Sequence, residues 1–158
     1  LSLHDALPIS VAFVGRLFPD LTVQGLGDPN YAYSLLKQYK GEWEFDTNWK
    51  MIFGHPKKAG WIKAIQEAQQ TVQKGLKLDC PILVMSSNKS FPETETWHEE
   101  YMTSDIVLDV QDIQKYGEKL GDKVTRDTIP NGIHDLILSQ KPYRNDAYQT
   151  IFEWLKKQ

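Results

Sequence analysis

The chain reads as an α/β protein with a parallel sheet flanked by helices, and three stretches carry that expectation. An amphipathic pattern from Ala59 to Leu76 runs into Pro81-Ile-Leu-Val-Met, a continuous apolar run of the kind found in strands covered on both faces. A second helical pattern, Val110 to Leu120, precedes an alternating run, Val124 to Ile129, and a third amphipathic pattern closes the chain from Tyr143 to Lys157. Helices that feed strands in this order require crossover connections, and those build parallel pairs.

The first ten residues, LSLHDALPIS, resemble one reading frame of a short-read sequencing adapter. They are therefore expected to be non-native, and His4 and Asp5 are not site candidates. Val11 to Pro19 is apolar enough for a short helix or buried turn ended by Pro19. Gly25 to Pro29 has the look of a loop closed by a helix start, with Asp28 as cap, Pro29 at the first helical position and a helix from Tyr31 to Tyr39. Trp43, Phe45, Trp49, Met51 and Phe53 then form an aromatic belt, suited either to internal packing or to lining an apolar pocket. His55, before Pro56, reads as a loop residue.

In the helix from Ala59, the residues Trp61, Ile65, Ala68, Val72 and Leu76 recur at three- and four-residue spacing, and Gly75 falls at the C-terminal cap. Cys80 opens the apolar run and is expected to be a buried thiol. Ser86 to Ser90 reads as a polar loop at the carboxyl end of the first strand, where open α/β sheets place their ligands. An acidic, irregular insertion from Phe91 to Ser104 follows; His98 with Glu95, Glu99 and Glu100 reads there as a solvated face rather than a metal site. Asp109 suits the N-cap of the next helix, with Ile113, Tyr116 and Leu120 inward and Gly121 ending it. Asp105 has no such capping duty. After the strand, Pro130-Asn131-Gly132 makes a turn and delivers His134 onto a loop, the placement catalytic residues often have. Tyr148, Ile151, Phe152 and Leu155 share the expected inward face of the last helix.

At 158 residues and 41% hydrophobic, the chain has the size of one domain and enough apolar residues for a core. A net charge of -3 gives no electrostatic footprint for nucleic acid or an anionic membrane. One cysteine excludes an internal disulfide and suits a reducing, cytoplasmic setting. No apolar run approaches a membrane span, and no phosphate loop or dinucleotide glycine motif is present.

An acid after one strand and a histidine after the next matches the second half of the Ser, Asp, His chain order of α/β-hydrolases. The stretch from CPILVMSS through SDIVLDVQDI to IPNGIHDLILS and FEWL resembles the C-terminal half of the serine hydrolases that include lysophospholipases, monoacylglycerol lipases and the serine aminopeptidase domain. SLLKQYKGEWEFDTNWK and GWIKAIQEAQ resemble the lid region of bacterial members. The resemblance implies a division into an adapter-derived segment (1–10), a helical lid segment (11–58) and the C-terminal part of the hydrolase core (59–158).

It further implies that His134 is the general base, and that Asp105 orients the imidazole and stabilises its charged form. Asp109 and Asp135 are the alternative acids. No cofactor or metal is implied, and the substrate would be a small acyl ester or lipid. The chain departs from the family in having no G-x-S-x-G elbow and no glycine-rich oxyanion segment. Ser86, Ser87 and Ser90 lie on the acid side of the expected site, so none is taken as nucleophile. The expectation is a C-terminal fragment of a serine hydrolase, inactive alone. A peptidase or thioesterase of the same fold and a non-catalytic α/β interaction module are the alternatives.

Overall fold

The computed structural model describes residues 14–158, so the adapter-like segment with His4 and Asp5 lies outside the described residues. Residues 14–17 are helical. The frame is a parallel pair of strands, β3 (Ile82–Ser87) and β4 (Val124–Ile129), in unbroken register from Ile82 opposite Val124 to Ser87 opposite Ile129. Crossing between them is helix α3 (Val110–Gly117), continued by a 3-10 turn over Glu118–Leu120. Gly117 explains how closely that helix lies on the sheet: a Cβ there would sit 2.8 Å from Val84 Cγ1. Asp109 caps α3, accepting a 2.8 Å hydrogen bond from the Gln111 N–H. The chain is thus a mixed α/β protein with a small parallel sheet.

The sheet is narrower than a strand buried on both faces requires. Among the described residues β3 pairs with β4 alone, and Ile82 to Met85 are half-buried. Cys80, just before the strand, is exposed, which corrects the expected buried thiol. Ser86 and Ser87 belong to the strand rather than to the loop after it, and both are buried.

Helix α2 (Ala59–Lys74) ends as its sequence implies, with Gly75 at φ 98 in the left-handed region. Its exit is docked by Leu76 and Leu78, whose N–H groups donate to the carbonyls of Lys119 and Leu120. The buried residues are Ala59 and Ile62, whereas Trp61 and Leu76 from the expected stripe are exposed. Helix α4 (Lys141–Leu155) shows the same rotation: Ala147 is buried while Tyr148, Phe152 and Leu155 face outward. A small alanine lets α4 approach the sheet, and Trp154 Nε1 donates to Thr125 Oγ1 of β4 at 3.1 Å. The two-stranded sheet covers one narrow stripe of α4, and α2 packs on β2 and the Glu118–Leu120 turn instead, so periodicity alone cannot choose which edge of either stripe is covered.

The segment before Ala59 is less helical than expected. It holds a short antiparallel pair, β1 (Thr22–Gln24) with β2 (Lys57–Lys58), and one helix, α1 (Asn30–Leu35). Pro29 is the N-cap and provides no side-chain hydrogen bond, so Asp28 is not the cap. The helix stops short of Tyr39 because Leu36 pairs with Trp43 across a tight reversal. Gly41 permits that reversal: a Cβ would fall 2.0 Å from the Leu35 carbonyl oxygen. The acidic insertion supplies a completely buried ring, Tyr101, within a 3-10 turn (Glu99–Met102). Phe91, Trp97 and His98 surround it, and its hydroxyl accepts from the Thr94 N–H at 2.8 Å.

Candidate active site

Parallel strands end at the same side of a sheet, so the loops after β3 and β4 meet there. The Asn131 N–H donates to Asn88 Oδ1 at 3.0 Å and ties the two loops together. After the insertion the chain returns beside Lys89 to Phe91, with Ser90 and Asp105 bridged in parallel. The Asp105 N–H donates to the Lys89 carbonyl, and the Asp105 carbonyl accepts from the Phe91 N–H, both at 3.0 Å. Asp105 is thereby carried on a short extension of the sheet rather than on a free loop.

The histidine turn has its own local logic. Asn131 adopts φ 59, so asparagine rather than Gly132 takes the left-handed position. Gly132 is needed for space instead: a Cβ would lie 2.6 Å from Leu136 Cδ2. The turn is then pinned by the Ile133 N–H, which donates to the buried Ser139 Oγ at 3.0 Å.

These two loops bring Asp105 and His134 together, with Nδ1 of the imidazole 2.9 Å from Asp105 Oδ2. The carboxylate is 1% exposed, and its other oxygen accepts the N–H groups of Val107 and Leu108, each at 2.8 Å. Three donors therefore satisfy a buried charge that would otherwise be costly. A carboxylate can only accept, so Nδ1 carries the proton and Nε2 of the neutral ring keeps its lone pair. Nε2 makes no hydrogen bond among the described residues. Burial works against the charged imidazolium, but the Asp105 hydrogen bond and charge, joined by the charge of Asp135, outweigh it; the His134 pKa is raised above its ordinary value. The alternative acids are placed elsewhere. Asp109 caps α3, and Asp135 turns its carboxylate to Tyr31 and Lys50.

Residues far away in sequence complete the surroundings. The ring of Tyr31 of α1 lies at 75° to the imidazole, with centroids 6.1 Å apart. Its hydroxyl donates to Asp135 Oδ2 at 2.5 Å and accepts from the Asp135 N–H at 3.2 Å. Burial, then the Asp135 hydrogen bond and charge, raise the Tyr31 pKa far above the usual phenol range. Lys50 Nζ lies 3.9 Å from Asp135 Oδ2 and 5.3 Å from the centre of the Tyr31 ring. Tyr31 and Lys50 were not legible as site residues, since no local spacing joins them to residue 134. Lys50 also lines a pocket of about 410 Å³, together with Trp43, Phe45, Trp49, Leu138 and the acidic Glu44 and Asp46. Trp43 reaches from it to the histidine loop, donating to the Leu138 carbonyl at 2.7 Å.

Other sequence candidates stand apart from this geometry. Ser86 Oγ is buried, donates to the Ser87 carbonyl and accepts from Gln114, and Ser87 Oγ accepts from the Lys89 N–H. Ser90 Oγ bridges the Leu108 carbonyl and the Val110 N–H. His98 packs on Phe91 and Tyr101, and no group of three His, Cys, Asp or Glu side chains placed to hold a metal ion is found among the described residues. His55 is exposed. No helix among the described residues is long and apolar enough to cross a membrane. No family model, curated protein or solved structure matches this chain.

Proposed function

We propose that the chain carries the acid and the base of an α/β-hydrolase-type serine hydrolase acting on carboxylic esters of apolar acyl groups, with the sheet as the C-terminal half of that fold. The observation that carries this reading is the buried Asp105 carboxylate held on His134 Nδ1 at 2.9 Å, with Nε2 left as acceptor. In that arrangement His134 takes the proton from a serine hydroxyl as it attacks the ester carbonyl, and returns it to the leaving alcohol. Asp105 holds the ring in the required tautomer and stabilises the imidazolium. The aromatic pocket that Lys50 helps to line has walls suited to the apolar part of such a substrate.

The attacking serine is assigned to polypeptide outside these 158 residues, because Ser86 and Ser87 are buried and hydrogen-bonded and no G-x-S-x-G is present. The test uses the intact gene product with a fluorophosphonate probe and an ester substrate. Labelling of a serine is expected, and His134→Ala should abolish both labelling and turnover while the fold persists. Retained turnover in His134→Ala removes the histidine from the mechanism and ends this reading.

A further inference from the structure

We propose that Tyr31 is a positioning residue for His134: its hydroxyl holds both the side chain and the backbone of Asp135, the residue next to the histidine, with Lys50 as the opposing charge on that carboxylate. The proposal deepens the reading of His134 as a base, and it rests on that reading for its functional meaning.

The geometry is reciprocal. One phenol oxygen both donates to the Asp135 carboxylate and accepts from the Asp135 N–H, so it fixes the side chain and the backbone of the residue next to the histidine. The same ring stands at 75° to the imidazole, with centroids 6.1 Å apart. A T-shaped ring pair is a favourable arrangement that also limits how the histidine can turn. Lys50 completes the cluster from the other side, near Asp135 and over the faces of Tyr31 and Phe45 at 5.3 and 5.7 Å. The charged groups acting on the histidine are Asp105 and Asp135, which favour its charged form, and Lys50, which opposes it. Tyr31 and Lys50, the two partners of the Asp135 carboxylate, come from the segment preceding α2. Further bonds hold the same two parts together: Trp43 to the Leu138 carbonyl at 2.7 Å, and Arg144 Nη1 to Glu42 at 2.6 Å.

The test needs no turnover. It follows the His134 ring nitrogens and the Nδ1 proton by NMR in the 158-residue chain across a pH titration. Asp135→Asn keeps an acceptor for Tyr31 and removes only the charge, and should lower the His134 midpoint. Lys50→Met should raise it. Tyr31→Phe keeps the ring but frees Asp135, and should speed solvent exchange of the Nδ1 proton by about tenfold or more, as expected for a bond no longer held by its surroundings. A role limited to packing would lower the unfolding midpoint in denaturant and leave the histidine signals in place. Unchanged midpoints in Asp135→Asn and Lys50→Met overturn the proposal, as does exchange in Tyr31→Phe within about twofold of the parent. If Tyr31→Phe does not fold, Asp135→Ala removes the side-chain bond from the other side, and an Nδ1 exchange rate within about twofold of the parent in that variant overturns the proposal. Failure of fluorophosphonate labelling in the intact product would remove the hydrolase reading without touching these outcomes, so the two can be told apart.

Discussion

Replacing Asp105 by Asn tests the site most directly. The native carboxylate accepts two backbone N–H groups on Oδ1 and the imidazole on Oδ2. An asparagine at the same place can turn its carbonyl toward Val107 and Leu108 and keep both. Its amide then faces Nδ1 and can only donate, so the ring must accept there and carry its proton on Nε2. The stability cost is the difference between a charge-assisted and a neutral hydrogen bond, about 1 kcal/mol. Asp105→Ala instead strands two backbone donors and the imidazole, which should cost about 3–5 kcal/mol. Urea unfolding separates the two variants, and long-range nitrogen–proton correlation spectra read the tautomer. On the proposed hydrolase reading, a proton on the wrong nitrogen should lower ester turnover on the order of 10⁴-fold. An Asn variant that keeps the Nδ1 proton, or an Ala variant no less stable than Asn, would refute this account of the pair.

The remaining predictions use other parts of the structure. Because the His134 pKa is raised by folding, its contribution to stability is fully present below the unfolded value of about 6.5 and is lost as pH rises through the folded value. Wild type should therefore lose more stability than His134→Gln between about pH 5 and about pH 8 in urea titrations. Ser104 Oγ is buried with no hydrogen-bond partner among the described residues, so Ser104→Ala should leave stability unchanged or raise it by about 1 kcal/mol. Gly41→Ala places a methyl 2.0 Å from a backbone carbonyl, and should destabilise by about 2–4 kcal/mol and disturb the Trp43 indole signal. Trp43→Phe removes the bond to the Leu138 carbonyl and weakens the contact with Arg144, which lies 5.0 Å over the indole, an expected loss of about 1–2 kcal/mol by the same unfolding assay.

Several features were legible because their causes are local. The left-handed glycine after α2, the Asp109 cap, the strand Val124–Ile129 and the turn that follows it depend on residues within a few positions of one another. Asp105 stood out because no capping duty was visible for it; the structure corrects that by giving it a local duty, accepting the Val107 and Leu108 N–H groups, and adds a distant one, the imidazole 29 residues later. Which face of an amphipathic helix is covered was not legible in this way. The stripes of α2 and α4 are rotated because coverage depends on which elements lie against each helix: β4 of a two-stranded sheet for α4, and β2 with the Glu118–Leu120 turn for α2. The exposed Cys80 and half-buried β3 follow from the narrowness of that sheet.

By itself the sequence determined the alternation of helix and strand, the parallel sense of the pair and the two loops that carry an acid and a histidine, since these follow from periodicity, turn chemistry and crossover length. Tertiary structure alone decided that Asp105 and His134 share a proton, that Asp135 serves Tyr31 instead, and that Tyr31 and Lys50 reach the site from more than 80 residues away. Hydrogen bonds and charges act over a few ångströms of space, and no spacing along the chain encodes which distant side chains will lie within that range.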